Sequence, residues 1–144
     1  MYYEQVCGLL TGERNKELGA FEKWDFHKFQ PDIVVVNLGT NDGSGTRDME
    51  KIENAVKGFL KKIRTCNPEC YILWCYGMLG DGICPTLQKA VWNYKMKSGD
   101  EHVEFVKLPD TREGEFGSRQ HPGHKSHEKT AKILAEKIRR IMSR

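Results

Sequence analysis

Two short runs of apolar residues stand out from the mixed polar and apolar positions along the chain. The first, Ile33–Val36, is β-branched throughout and lacks the polar spacing typical of an amphipathic helix. The second, Tyr71–Tyr76, is similarly apolar. Continuous apolar runs of this length are typical of strands that are buried on both faces of a parallel sheet. The pattern therefore predicts two buried strands.

Helical spacing follows each run. A helix is predicted from Thr46 until Asn67-Pro68 stops it, because apolar residues recur every three or four positions. Pro85 suits the first turn of a second helix, which Ser98-Gly99-Asp100 closes, and a third helix follows His124. The apolar positions of the three helices are, in order, Met49, Ile52, Val56, Phe59, Leu60, Ile63; Leu87, Ala90, Val91, Tyr94; and Ala131, Leu134, Ile138, Ile141.

A third strand is predicted at His102–Leu108, where polar and apolar residues alternate as in a strand exposed on one side. A strand–helix–strand crossover makes the two strands that it joins parallel, and the crossover itself is right-handed. We therefore predict a single layered α/β domain over residues 1–144, with His102–Leu108 as an edge strand. Residues 1–20 carry little information, whereas the aromatic residues between Phe21 and Phe29 predict a packed connection into the first strand.

Composition changes this picture little. The chain has 144 residues, of which 38% are hydrophobic and 30% charged, as in ordinary globular domains. No run suggests a membrane span. The net charge is only +3, the basic residues concentrate on predicted helices, and no basic patch is interleaved with aromatic residues, so we expect no nucleic-acid partner. The segment Met1–Glu4 opens no signal-peptide pattern, so none is expected in this chain.

The cysteines indicate neither a metal site nor a disulfide framework. They show no Cys-x-x-Cys and no Cys/His finger spacing, so we expect no structural metal and no cofactor. Cys66 and Cys70 flank the turn Asn67–Glu69, where a bridge is conceivable, but reduced thiols are favoured. The redox compartment stays open. The five cysteines are Cys7, Cys66, Cys70, Cys75 and Cys84.

Polar residues follow the predicted strands where open α/β sheets carry their ligand sites. Gly39–Asp42 comes directly after the first strand, Met78–Pro85 after the second, and His121-Pro122 after the third. An Asn41 amide can donate to a developing oxyanion, a contribution of ~3 kcal/mol, and a His121 imidazole can accept a proton from a hydroxyl. Taken alone, Asn41 also fits a simple turn and His121 a surface position.

The string Gly39-Thr40-Asn41-Asp42 matches the third sequence block, Gly-x-Asn-Asp, of the SGNH (GDSL-like) hydrolases, which the chain resembles. With Trp24-Asp25-Phe26 and Phe29-Gln30-Pro31-Asp32 it is similar to one branch, the family-two carbohydrate esterases. His121-Pro122 matches the histidine half of the fifth block, Asp-x-x-His. The resemblance implies a flavodoxin-like, three-layer SGNH fold that lacks its N-terminal strands.

The resemblance also implies a function. It suggests a serine hydrolase that removes acetyl groups from plant-wall polysaccharide, secreted in its full-length form, with an acetylated polysaccharide or oligosaccharide as partner. His121 would be the general base and Asn41 the oxyanion-hole donor. Gly39 and Asp42 would support them, Asp42 by bracing the loop, and Trp74 would be a candidate surface for stacking a sugar ring.

Two departures from the family pattern qualify this expectation. Ser118 stands where the fifth block has its aspartate, so His121 needs another acceptor: a backbone carbonyl within Trp74–Gly80, or a carboxylate of Asp110, Glu113 or Glu115. The Gly-Asp-Ser block is absent, and no serine precedes Ser44, so the nucleophile is unknown.

We interpret the chain as the C-terminal portion of a longer esterase, inactive alone. The alternative is a non-catalytic carbohydrate-binding or assembly module on the same fold. In the family, the first strand lies beside the equivalent of Ile33–Val36. Its absence would leave an apolar edge unpaired, which predicts self-association through this edge or its coverage by residues 1–20.

Overall fold

The computed structural model describes residues 3–7, 12–45 and 48–143, which form two compact units, Met1–Gln30 and Pro31–Arg144. No helix within the described ranges is long and apolar enough to cross a membrane. Short 3₁₀ helices lie at Phe26–Lys28 and Ser118–Gln120. The remaining elements are α1 (Glu13–Glu17), β1 (Ile33–Asn37), α2 (Thr40–Gly45), α3 (Met49–Cys66), β2 (Tyr71–Tyr76), α4 (Cys84–Ser98), β3 (Val103–Lys107) and α5 (His124–Met142).

The first unit is held by antiparallel backbone pairing that the hydrophobic pattern does not predict. Gln5 pairs with Lys23, and the Tyr3 ring stacks on Phe26 at a centroid distance of 5.5 Å. Trp24 is 40% and Phe29 66% exposed, so the predicted packed connection is wrong. A segment this short supplies too few apolar partners to bury several large rings.

The second unit contains one parallel sheet in the order β1-β2-β3. Ile33 lies opposite Tyr71, and Ile72 lies opposite Val103, so each crossover joins neighbouring strands. Every residue of β2 is buried. The predicted α/β architecture with parallel strands is confirmed, and β3 is an edge strand as the alternating pattern indicates.

Helices cover both faces of the sheet. Phe59 of α3 meets Trp74 of β2 edge-on, with ring centroids 6.1 Å apart. On the opposite face, α5 packs against the alternate β2 residues Tyr71, Leu73 and Cys75. The α5 side chains in this contact are Leu134, Ile138 and Ile141, three of the four apolar positions predicted for that helix.

Two elements differ from prediction. Val35 of β1 is 42% exposed although it lies opposite Leu73 on the face that α5 covers, because in the described sheet β1 has a neighbouring strand on one side only. The strand is therefore not buried on both faces. The segment predicted as a loop forms α2. Thr46, the predicted start of the next helix, lies outside the described residues; α3 spans Met49–Cys66, and Asp48 Oδ1 caps it by accepting a hydrogen bond from the Lys51 N–H at 3.1 Å.

The five cysteines form no disulfide, so no bridge joins Cys66 to Cys70. Cys70 and Cys75 are fully buried. Burial raises the pKa of the Cys75 thiol to about 11, which keeps it protonated and unreactive.

Arg64, near the end of α3, joins three segments at the amino end of the sheet. Its Nε and Nη2 donate to the two carboxylate oxygens of Asp100 at 2.9 and 3.1 Å. Its Nη1 donates to the carbonyls of Pro68 and Cys70, both at 2.7 Å. Both charged side chains are largely buried, and the planar guanidinium suits this bidentate contact.

Arg64→Ala is expected to lower the free energy of unfolding by about 2–3 kcal/mol, because it leaves the largely buried Asp100 carboxylate without its cation and removes the guanidinium donor from two carbonyls. The measurement is urea unfolding followed by circular dichroism. Arg140→Ala, which removes the exposed ion pair with Glu136, is the control and should cost less than about 0.5 kcal/mol. Equal losses in the two variants would contradict a structural role for Arg64.

Candidate functional site

Backbone strain is concentrated at the carboxyl end of the sheet. Among the described residues, three that are not glycine have positive φ: Met78 at 72°, Arg119 at 52° and Gln120 at 62°. Met78 follows β2, and the other two lie in the loop between β3 and α5. Strained conformations of this kind cluster at functional sites. This edge is therefore the candidate site.

Gly39 determines how α2 packs beside β2. It has φ 126°, and a Cβ there would lie 2.8 Å from Leu87 Cδ1 and 3.2 Å from Tyr76 Cε2. Any larger residue would push α2 away from the sheet. The supporting role predicted for Gly39 thus has a physical basis, since α2 carries Asn41.

Asn41 is exposed in the first turn of α2. Within the described chain its side-chain amide makes no hydrogen bond, so it is free to donate to a bound oxygen atom. Asp42, its neighbour, is exposed and has no hydrogen bond or ion pair to another described residue. The bracing role predicted for Asp42 therefore has no contact to support it.

Backbone contacts hold the loops after β2 and β3 together. A Cβ at Gly77 would lie 2.3 Å from the carbonyl oxygen of Leu108, so only glycine fits there. The Leu108 N–H donates to Tyr76 O at 2.8 Å, and the Thr111 N–H donates to Met78 O at 3.1 Å. Gly77 is not among the predicted site residues, although a glycine directly after a buried strand is a signal that the sequence carries.

The loop that carries His121 folds back on itself. Phe116 and Pro122 form an antiparallel bridge on either side of its tip. The Gly123 N–H donates to Glu115 O at 2.8 Å, and a Cβ at position 123 would lie 2.7 Å from the same oxygen. This close approach requires glycine and fixes the point at which the chain enters α5.

The His121 ring is oriented by a backbone carbonyl. Its Nδ1 lies 3.0 Å from the carbonyl oxygen of Arg119. With the proton on Nδ1, the ring donates to that carbonyl, and the lone pair on Nε2 points away from the contact. The predicted acceptor was a carbonyl within Trp74–Gly80, so the kind of group agrees but its location is wrong. The left-handed turn at Arg119 and Gln120 brings the carbonyl close enough.

The carboxylates considered as alternatives do not hydrogen-bond His121 in the described chain. Asp110 Oδ1 accepts the Gly80 N–H at 3.1 Å. Glu115 accepts from Lys129 Nζ at 2.6 Å, and this hydrogen bond lowers the pKa of the Glu115 carboxyl. Glu113 is exposed. Asp110 and Glu115 therefore hold the loop in place rather than orient the imidazole.

Trp74 is a core residue and not a sugar-stacking surface. It is 3% exposed, and its ring meets Phe59. Its buried Nε1 has no hydrogen-bond partner among the described residues. The predicted substrate contact at Trp74 is therefore wrong, because its ring faces α3 within the packed layer.

Asn41, in α2, and His121, in the loop before α5, lie on opposite sides of β2 at the same end of the sheet. Gly39 packs against Tyr76 from one side, and the Leu108 N–H bonds the Tyr76 carbonyl from the other. No hydrogen bond joins Asn41 to His121 in the part of the chain that is described. Their predicted meeting in one cleft stays a prediction.

No nucleophile is identified beside His121. The side chain of Ser44 lies outside the description, and Ser126 Oγ is engaged with Thr111 Oγ1 at 2.7 Å in the core. The described ranges also contain no group of three or more His, Cys, Asp or Glu residues able to hold a metal. The described serine side chains, none of which bonds His121, are Ser98, Ser118, Ser126 and Ser143.

Comparison with known proteins bears on these loops. The chain is 35% identical over 124 residues to the cellulase/esterase CelE of Acetivibrio thermocellus, a match that covers 81% of this chain and 15% of CelE. Among solved structures, the acetyl xylan esterase Est2A from the rumen bacterium Butyrivibrio proteoclasticus superposes with a TM-score of 0.92 and 40% identity. That match covers 98% of this chain and 45% of Est2A.

A second solved structure is a family-two carbohydrate esterase from Clostridium thermocellum in complex with cellohexaose. It matches with a TM-score of 0.78 and 33% identity, over 84% of this chain and 39% of the other. The chain thus spans less than half the length of each of these relatives. The model of the GDSL-like Lipase/Acylhydrolase family matches residues 6–141. With this match across both loops and nearly the whole sequence, the chain belongs to the GDSL-like lipase/acylhydrolase family.

Proposed function

We propose that the protein to which this chain belongs is a carbohydrate O-acetyl esterase that removes acetyl groups from plant-wall polysaccharide. The observation that carries the proposal is the His121 ring, whose Nδ1 faces the Arg119 carbonyl at 3.0 Å and whose Nε2 is left to act as a base. The free amide of Asn41, at the same end of the sheet, supports it. The esterase names of CelE and Est2A agree with this activity.

The proposed mechanism uses a serine hydroxyl that is not identified among the described side chains of this chain. His121 Nε2 takes the hydroxyl proton as the serine oxygen attacks the acetyl carbonyl. Asn41 donates to the oxyanion of the tetrahedral intermediate. His121 then gives the proton to the departing sugar oxygen, and water repeats the sequence to release acetate and the serine.

Orientation by a carbonyl has a chemical consequence. A carboxylate on Nδ1 would both fix the tautomer and stabilise the imidazolium that forms during attack, whereas the Arg119 carbonyl fixes the tautomer with only a partial negative charge. In this proposal the catalytic serine and His121 act as a pair without an acidic third residue, since Ser118 stands where the family has its aspartate. Because plant-wall polysaccharide lies outside cells, we also propose that the full-length protein is secreted.

The alternative function is a non-catalytic carbohydrate-binding or assembly module on the same fold. It is favoured by the same two sequence features, Ser118 at the acid position and the lack of a Gly-Asp-Ser block. Turnover of an acetyl ester, rather than binding of a sugar, separates the two functions.

The 144-residue chain alone is expected to show no histidine-dependent turnover of 4-nitrophenyl acetate, because no serine nucleophile is identified beside the imidazole. Wild type and His121→Ala should release nitrophenolate at the same background rate. Activity that survives purification and disappears in His121→Ala would show that the chain contains its own nucleophile.

A chimera tests the roles of the residues directly. This chain replaces the 45% of Est2A that it matches, and the rest of Est2A is kept, as the TM-score of 0.92 permits. The chimera should hydrolyse acetylated xylan. His121→Ala should lower kcat by at least about 1,000-fold, and Asn41→Ala by about 100- to 1,000-fold.

His124→Ala, at the exposed start of α5, is the matched control and should retain activity within about threefold. A folded chimera that binds acetylated xylan without releasing acetate would favour the binding module. Equal loss in the His121 and His124 variants would contradict the assignment of the base.

We also propose that the isolated chain self-associates through the outer edge of β1. Asp32 O accepts the Tyr71 N–H, so by alternation Ile33, Val35 and Asn37 direct their backbone groups away from β2. Val35 is 42% exposed beside this row of groups. An exposed apolar edge of this kind pairs readily with a second copy.

Sedimentation velocity is expected to show a concentration-dependent dimer. Val35→Lys should shift the chain to monomer, because a lysine on an edge strand opposes pairing. Ile133→Lys, which places the same charge on a partly exposed site of α5, should leave the dimer intact. A monomer at all concentrations, with the β1 amides protected from exchange, would contradict self-association.

A further inference from the structure

A groove of about 440 Å³ lies between α3 and α4, on the face of the sheet opposite α5. Its volume falls within the ordinary range for small-ligand sites. Ala90 and the buried ring of Tyr94 contribute apolar floor, and polar side chains form the rim. The rim residues are Glu53, Asn54, Lys57, Lys61, Asn93, Lys97 and Ser98.

The three lysines on this rim carry uncompensated charge. Lys57, Lys61 and Lys97 are exposed, and none forms an ion pair in the described chain. The one acidic residue on the rim, Glu53, is already bound to Lys89 at 2.7 Å. The rim therefore carries three lysines and a single carboxylate, which is already paired with Lys89.

The spacing of these lysines opposes helix stability. Lys57 and Lys61 are four residues apart on α3, a separation at which like charges repel. On α5 the same separation is used for attraction, in the pair Lys132 with Glu128. Lys57 and Lys61 thus place two cations side by side on the α3 side of the groove, where a bound anion would relieve their repulsion.

Neutral hydrogen-bonding groups lie among these charges. Asn54 and Asn93 face the groove from α3 and α4, and neither amide has a hydrogen-bond partner within the described ranges. Each amide offers donors and an acceptor, the combination that recognises a sugar hydroxyl. No exposed aromatic ring lines the groove, so it lacks the stacking surface on which nucleic-acid bases bind.

We propose that this groove binds a carboxylated saccharide, such as a chain of uronic acid residues, with Lys57, Lys61 and Lys97 pairing its carboxylates. The side-chain amides of Asn54 and Asn93 donate to the sugar hydroxyl groups that lie between these carboxylates. The proposal rests on the proposed function only in expecting a polysaccharide as ligand. It adds a second subsite, away from α2 and the His121 loop. This subsite holds the acidic polysaccharide while an acetyl ester is hydrolysed at Asn41 and His121.

The test measures binding to the full 144-residue chain by calorimetry, so it does not depend on esterase activity. The probes are hexagalacturonate and the neutral cellohexaose. Hexagalacturonate is expected to bind, with affinity that falls as salt rises, because charged contacts are screened. Amide chemical shifts in NMR should change at Asn54 and Asn93 when it is added.

Replacing Lys57, Lys61 and Lys97 together by Gln should weaken hexagalacturonate binding by at least about tenfold. The control replaces three exposed lysines outside the groove, Lys23, Lys28 and Lys125, and should change the affinity by less than about threefold. Both variants remove the same charge, so a difference between them reports the groove itself.

Three results would overturn the proposal. Equal losses in the two variants would show attraction by net charge alone. Chemical-shift changes confined to residues outside α3 and α4 would show that hexagalacturonate binds outside the groove. Tighter binding of a thymidine hexanucleotide than of hexagalacturonate would make the groove a nucleic-acid site. An inactive chimera with intact hexagalacturonate binding would count against the esterase and leave this site standing.

Discussion

Contacts with the carboxyl end of β2 position both α2, which carries Asn41, and the loop that carries His121. Every residue of this strand is buried, so it cannot move without opening the core. The Tyr76 ring forms the surface on which Gly39 packs, and the Tyr76 carbonyl accepts the Leu108 N–H. Gly77 then lets the backbone come within van der Waals contact of Leu108 O. The positions of α2 and of the His121 loop both follow from these contacts.

Most of the α/β unit could be predicted from the hydrophobic pattern, because its signals are local. Helical spacing in α3 and the apolar run of β2 both identify their elements. The burial of β1 was predicted wrongly, since apolar residues reveal a preference but not what is available to cover them. Gly39–Asp42 was predicted as a loop because Asn, Asp and Gly favour turns, yet tight packing against Tyr76 and Ile83 accommodates a short helix there.

The candidate site was predictable only in part. The positions of Asn41 and His121 after parallel strands, and their match to family motifs, are visible in the sequence. The group that orients His121 is not, because a backbone carbonyl has no residue type to recognise and depends on the left-handed turn at Arg119. For Trp74 the residue type was visible but misleading. It suggested a sugar contact, whereas the ring is buried against Phe59, a partner from another element that the local sequence does not reveal.

The strand order β1-β2-β3 follows the order of the chain, and this has a consequence for how the unit is made. Each strand joins the neighbour that was synthesised just before it, so no segment has to wait for a distant partner. On a ribosome, β1, α3 and β2 can dock before β3 emerges. The His121 loop is completed last, when Gly123 meets Glu115 and α5 closes over β2. Translation that stops short of α5 therefore yields a sheet with one bare apolar face and a His121 loop that lacks its contacts with the start of α5.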